Sequence, residues 1–205
     1  SNAYGQLGLG HDQASANQPM PVQGGLEDVI QLTSTSNTMC ALKDNGTVWC
    51  WGENFYGTLG DGSTQNSNLP VQVQGLTDVI YIDGGSAGHV CARKRDGTTW
   101  CWGRNDDYNM GNGEDDDLRN ATLIEHDQSF VDLAIGGAGG CGLESHGQVW
   151  CWGSNFQGEI GANLDSNVLS HAETRIQVSN MSDAIAIASP GFHVFYALRE
   201  DRTMW

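Results

Sequence analysis

Positive charge is scarce in this chain. Nine Lys and Arg stand against 25 Asp and Glu among 205 residues, a formal net charge of −16. Such a surface repels phosphate backbones and anionic headgroups, which excludes nucleic-acid binding through a basic face and membrane attachment through a polybasic patch. Long apolar runs are lacking too: nothing approaches the ~18 residues of a spanning helix, so membrane insertion is not expected. No signal or transit peptide is recognisable, and Ser1-Asn2-Ala3 reads as a cloning remnant, which leaves room for an omitted targeting segment. Proline is sparse at 4 residues, whereas glycine, at 28, is about twice its usual ~7%. Helical periodicity is nowhere convincing. Many tight turns between short strands are the expectation.

What is present is a repeat. Trp49-Cys50-Trp51-Gly52 recurs as Trp100-Cys101-Trp102-Gly103 and as Trp150-Cys151-Trp152-Gly153. Asp28-Val29-Ile30, Asp78-Val79-Ile80 and Asp132-Leu133-Ala134-Ile135 lie upstream of the three copies. Downstream, Asn54 to Gly62 aligns without gaps to Asn105 to Gly113 and to Asn155 to Asn163. The two ends belong to the same series. Tyr4 to Gly10 matches Tyr56 to Gly62, and Tyr196 to Trp205 matches Cys40 to Trp49. Four repeats' worth of sequence is therefore present, short by about three residues. All seven tryptophans fall inside the motif, which makes them architectural.

Turn chemistry gives each repeat its strands. Met39-Cys40-Ala41-Leu42 and Thr47-Val48-Trp49-Cys50-Trp51 flank Lys43-Asp44-Asn45-Gly46, a hairpin signal; Lys94-Arg95-Asp96-Gly97 and Ser145-His146-Gly147 take the same place. Val29 to Leu32 adds an inner strand, and Val71-Gln72-Val73 after Pro70 an outer one. About four antiparallel strands in roughly 50 residues is the size of a propeller blade. The expected fold is all-β: a single β-propeller repeat domain over residues 1–205, either part of a larger propeller or a closed four-bladed ring.

Trp-Gly-x-Asn-x-x-Gly-x-Leu-Gly from Trp51 to Gly60, and Cys-Ala-Leu-x-x-x-Gly-x-Val-x-Cys-Trp-Gly from Cys40 to Gly52, resemble the repeat of the regulator-of-chromosome-condensation superfamily, in its bacterial, secreted, disulfide-containing form. Asp107-Tyr108 departs from the pattern in the second full repeat and Gln157 in the third, which bears on loop shape. The resemblance implies propeller blades, usually seven in a ring, with Trp51, Gly52, Trp102, Gly103, Trp152 and Gly153 as framework. It spans functions from guanine-nucleotide exchange to secreted β-lactamase inhibition, so it sets none by itself.

Six cysteines form three Cys-x9-Cys pairs. A three-residue hairpin loop sets Cys40 opposite Cys50, Cys91 opposite Cys101 and Cys141 opposite Cys151, within reach of a disulfide. Pleating puts the bridge on one face of the strand and the tryptophans on the other. Six buried free thiols are the alternative; Cys-x9-Cys without nearby histidine is not zinc spacing. Three disulfides imply an oxidising compartment: periplasm, cell surface or extracellular space.

No catalytic constellation emerges. His11, His89, His126, His146, His171 and His193 are scattered, and His89 reads as a satisfied structural histidine on an inner strand. Gly136 to Gly140 opens no helix and is no phosphate cradle. Asp106, Asp107 and Glu114 to Asp117 resemble a loose calcium site, but the EF-hand order fails and a solvated acidic loop is the plainer reading. No cofactor or metal is expected. The reading is a non-enzymatic extracellular scaffold, binding an unknown protein through the variable loops Gly62 to Leu69, Gly113 to Thr122 and Asn163 to Ala172. A secreted inhibitor, or a non-catalytic module of a larger secreted enzyme, is the alternative; nucleotide exchange is disfavoured. An open arc is also expected to self-associate through its end blades.

Overall fold

Each Trp-Cys-Trp-Gly run forms the third strand of a four-stranded antiparallel sheet. The structure is a computed structural model that describes residues 1–13, 16–124, 129–161, 170–191 and 193–205. Blade 1 comprises β1 (Val29–Ser34), β2 (Thr38–Lys43), β3 (Val48–Gly52) and β4 (Ser67–Gln72). Blade 2 comprises β5 (Val79–Gly85), β6 (His89–Lys94), β7 (Thr99–Gly103) and β8 (Leu118–Leu123). Blade 3 comprises β9 (Phe130–Ile135), β10 (Gly139–Glu144), β11 (Val149–Ser154) and β12 (His171–Gln177). A two-stranded sheet follows, β13 (Ala184–Gly191) with β14 (Val194–Arg199). Strands pair in chain order within every sheet. Asp106–Tyr108 makes a single 3-10 turn.

The hairpin chemistry sets the register. Gly46 N–H donates to Lys43 O at 3.0 Å, and Gly97 and Gly147 repeat the bond to Lys94 and Glu144. Cys40 then faces Cys50, Cys91 faces Cys101 and Cys141 faces Cys151, and each pair is joined as a disulfide. Free cysteines are absent from the structure.

Pleating divides each blade into two apolar faces. Cys40, Leu42, Val48 and Cys50 of blade 1 pack against Val90, Ala92 and Trp102 of blade 2. Cys91 and Cys101 of blade 2 pack in turn with Leu133 and Trp152 of blade 3. The disulfide of every blade thus looks toward the following sheet, and the Trp-Gly indoles of blades 2 and 3 toward the preceding one. Side chains on the inner strands join neighbours through the backbone. Gln31 Nε2 donates to Ile82 O at 2.8 Å, and its Oε1 accepts from Ile82 N–H at 3.1 Å. At the same position Tyr81 Oη donates to Leu133 O at 3.3 Å, and Asp132 Oδ2 accepts from Ile187 N–H at 3.3 Å. Asp83 adds a second link, accepting from Ile135 N–H at 2.8 Å; burial pushes its pKa up against the pull of the Ile135 and Gly84 amides.

The sheets do not close into a ring, so the four-bladed alternative falls. Leu32 is 59% exposed, whereas its counterparts Ile82 and Leu133 are 0% and 1% exposed beneath the inner strand of the preceding blade. Identical chemistry at repeated positions is covered only where a neighbour exists. The result is an open arc of blades.

Candidate functional site

The loops after the Trp-Gly pairs gather on one side of the arc, and their framework begins with the glycine. Gly52 has φ 113°, and a Cβ there would run into Asn37 O; Gly103 and Gly153 meet the same obstacle at Gly88 O and Ala138 O. The tight turn that follows is organised by an asparagine. Asn54 is fully buried; its Oδ1 accepts Leu59 N–H at 2.8 Å, and its Nδ2 reaches Ser63 O at 3.2 Å and Gln65 O at 3.1 Å. Asn105 holds Met110 N–H at 3.0 Å and Glu114 O at 2.7 Å, and Asn2 holds Leu7 N–H at 2.8 Å and His11 O at 2.9 Å. Asn2, fully buried, thus takes the repeat's asparagine position, which corrects the reading of Ser1-Asn2-Ala3 as a cloning remnant. Asn155 accepts from Ile160 N–H at 3.3 Å. An Asn buried at this cost must satisfy its amide, and here it does so by fixing both limbs of the loop.

Each loop also clasps the next blade. Trp102 Nε1 donates to Thr58 O at 2.9 Å, Trp152 Nε1 to Asn109 O at 2.9 Å and Trp51 Nε1 to Gln6 O at 3.0 Å. Trp51, Trp102 and Trp152 are at most 3% exposed, as framework residues should be. The Asp107-Tyr108 departure alters the loop locally, since Asp107 takes φ 63° within a 3-10 turn that the first repeat lacks, but it keeps the closing bond. Tyr108 takes φ 57° where Gly57 has 78°, and Gly111 N–H still finds Tyr108 O at 2.9 Å, as Gly60 finds Gly57.

On this rigid base sits an aromatic and acidic surface. Phe55 and Phe156 are 56% and 60% exposed. Tyr4 meets Phe55 edge-on at 5.8 Å, Phe156 meets His171 at 4.7 Å, and Tyr108 lies 5.9 Å from the same imidazole. Arg104 stacks over Tyr56 at 4.9 Å and pairs with Asp106, whose hydrogen bond raises the guanidinium pKa. A groove lined by Phe55, Tyr56, Asp116, Asp117 and Arg119 crosses between blades 1 and 2.

Three carboxylates of the acidic loop are engaged in protein contacts. Asp117 Oδ1 accepts Asn105 N–H at 2.9 Å, Asp107 pairs with His171 at 3.1 Å and Asp106 is held by Arg104. Among the described residues no three His, Cys, Asp or Glu are grouped to hold a metal ion. His146 pairs with Glu144 at 2.9 Å and His193 with Glu159 at 3.1 Å, far from one common site; His126 and most of the Asn163 to Ala172 loop lie outside the described residues. His89 requires a correction. It opens β6, the second strand rather than the inner one, and neither ring nitrogen finds a hydrogen bond of ordinary geometry. Burial pushes its pKa down to about 4, against a smaller upward pull from the Gly139 backbone and Asp106. Gly136 to Gly140 lies at the turn from β9 to β10.

The structural asparagines were missed as site-makers. The signal was available: Asn54, Asn105 and Asn155 recur at one place in the repeat, where a solvated polar residue would vary freely.

Geometry and repeat together define a β-propeller segment with loops displayed on one face. Comparison with known proteins supports that class. Residues 45–92, and residues 29–58 and 130–159, match two models described as the regulator of chromosome condensation (RCC1) repeat. The chain carries repeats of the RCC1 type. It is 34% identical over 141 residues to the mouse E3 ubiquitin-protein ligase HERC2, covering 65% of this chain and 3% of that protein. It is 28% identical over 158 residues to the zebrafish protein RCC2 homolog, covering 73% of this chain and 32% of the relative. Among solved structures, human WBSCR16 superposes with a TM-score of 0.83 at 18% identity, over 100% of this chain and 54% of the other. Yeast RCC1 (Prp20), in a crystal structure bound to Kap60, superposes at 0.74 and 19% identity, over 86% and 42%. These likenesses show the fold.

Proposed function

We propose that this chain is a non-enzymatic protein-binding segment of a larger propeller, working in an oxidising extracellular, cell-surface or periplasmic compartment. The observation that carries the reading is the asparagine-anchored loop set, which holds exposed Phe55, Tyr56 and Phe156 on a disulfide-pinned base. Exposed aromatics fixed by a rigid framework provide contact area at small entropic cost. The charge of −16, and the carboxylates Asp116 and Asp117 in the groove beside Phe55 and Tyr56, favour a partner with a basic surface. Yeast RCC1 (Prp20), a protein containing this fold, has been crystallised bound to Kap60, which is consistent with a protein partner for this chain.

The test is capture of secreted or envelope proteins on immobilised wild type and on Phe55→Ser and Phe156→Ser variants. A partner retained by the wild type, lost from the variants at unchanged melting temperature and weakened by salt supports the reading. Equal retention by all three chains refutes it. We also propose that the isolated arc self-associates through the exposed Ile30 and Leu32 face of β1, at 62% and 59% exposure. Light scattering should show concentration-dependent growth that Leu32→Lys abolishes; a monomer at all concentrations overturns this.

A further inference from the structure

Where blades 1 and 2 meet, the β1–β2 and β5–β6 turns and the residues that follow two Trp-Gly pairs enclose a pocket of about 230 Å³. Its lining is mostly polar and includes Ser36, Thr38, Glu53, Thr58, Ser86 and Arg104. Glu53 and Arg104 occupy one position of the repeat, directly after Gly52 and Gly103. The backbone fixes them alike: Glu53 N–H donates to Asn37 O and Arg104 N–H to Gly88 O, both at 3.0 Å. Equal anchors one blade apart thus bring a carboxylate and a guanidinium to a single pocket.

The framework does not ask for this chemistry. At the next joint Ser154 follows the Trp-Gly pair, and its N–H donates to Ala138 O as Arg104 donates to Gly88 O. By that bond Gly136 and Gly137 stand where the β5–β6 turn has Ser86 and Ala87. The packed joint between blades 2 and 3 therefore forms without the hydroxyl and with neither charge in the same place.

Most polar groups of the pocket are already spent. Thr38 Oγ1 donates to Glu53 O at 2.7 Å, Thr58 Oγ1 to Gly88 O at 2.9 Å, and Ser36 Oγ to Ser86 O. Three atoms are left over. Ser86 Oγ and Arg104 Nε are both buried without a hydrogen-bond partner, although Arg104 Nη2 is held by Asp106. Glu53 uses Oε2 to accept from Asn37 Nδ2 at 3.0 Å, and its Oε1 carries no hydrogen bond among the described residues. Buried donors without an acceptor are costly, so two of them on blade 2 call for an oxygen ligand. The free carboxylate oxygen on blade 1 calls for a cation.

We propose that this pocket binds a free α-amino acid as its zwitterion. The carboxylate accepts from Arg104 Nε and Ser86 Oγ, and the ammonium donates to Glu53. A simple anion would meet Glu53 and a chain of charge −16, a simple cation would meet Arg104, and a neutral sugar would desolvate both charges without a counter-charge. The volume lies below the roughly 300–1,000 Å³ of drug-sized sites, which suits an amino acid with a small side chain. Tyr56 borders both this pocket and the aromatic surface, but the site needs no protein partner.

The probes are glycine, L-alanine and L-serine, added to the full chain and followed by amide NMR. Saturable shifts should appear at Ser36, Ser86 and Gly88. N-acetyl-L-alanine, which lacks the ammonium, and L-alanine methyl ester, which lacks the carboxylate, should each bind at least about tenfold more weakly than L-alanine. Ser86→Ala and Glu53→Gln should each weaken binding about tenfold at unchanged melting temperature. Ala87→Phe, which fills the pocket, should abolish the shifts; should it fail to fold, the two conservative variants carry the comparison. The proposal is overturned by the absence of saturable shifts at high millimolar concentration, or by equal binding of the capped amino acids. Tighter binding of glucose than of any amino acid, or wild-type binding by the Ser86 and Glu53 variants, would overturn it as well.

Discussion

Between blades 1 and 2, Trp102 is wholly buried against Cys40, Val48 and Leu59; between blade 3 and β13–β14, Cys141, Val149 and Ile160 hold the same places and face a cavity. Both interfaces close a backbone link between inner strands, through Gln31 in the first and Asp132 in the last. Their difference teaches that blade contacts are modular. Disulfide, aliphatic shelf and glycine-closed turn come from one blade and the indole from the next.

The largest effect that would break this comparison is at the indole. Trp102→Ala should cost about 3–5 kcal/mol, the range for buried Trp→Ala, whereas Trp205→Ala, at 64% exposure, should change chemical denaturation midpoints very little. Equal losses would mean that the two indoles are not in different classes of site. Next comes the inner strand. Ile82→Ala should destabilise by about 2–4 kcal/mol, while Leu32→Ala, the same position without a preceding blade, should leave the thermal midpoint nearly unmoved.

Acid sharpens the contrast through His89, whose counterpart in the last sheet is the exposed Val194. Its folded pKa of about 4 lies below the ordinary 6.5, so the unfolded chain binds more protons between those values. The stability is complete above pH 6.5 and falls as the pH drops toward 4, by roughly 3 kcal/mol. Asp83, with its raised pKa, works in the opposite direction. Urea titrations at pH 7 and pH 4.5 should show a loss that His89→Leu largely removes. The smallest effect is at the inner link: Gln31→Ala should cost about 1 kcal/mol, read as a modest shift in the same titrations.

Much of this was legible beforehand. Asn45-Gly46 between the apolar run Met39 to Leu42 and the β-branched and aromatic run Thr47 to Trp51 fixed the hairpin, and the hairpin fixed which cysteines meet, because both are local. What could not be read was context. Leu32, Ile82 and Leu133 look alike in sequence and differ only in what lies beside them in space. The closed-ring alternative failed for that reason: no single repeat encodes the turn angle between blades. His89 misled because a polar side chain in a strand suggests a partner, and its surroundings of Gly85, Gly88 and Gly139 backbone offer none in line. The asparagine turns were visible as a pattern, but their meaning depended on burial.

The inner links have a mechanical consequence. Gln31 grips both the amide and the carbonyl of Ile82, whereas Tyr81 and Asp132 each hold a single backbone atom, at 3.3 Å. The joint made by Tyr81 is reinforced by Asp83, so both joints of blade 2 carry two inner side-chain links, whereas Asp132 supplies one at the last joint. A load applied along the inner strands is therefore shared between two hydrogen bonds on either side of blade 2 and rests on one where β13 joins blade 3.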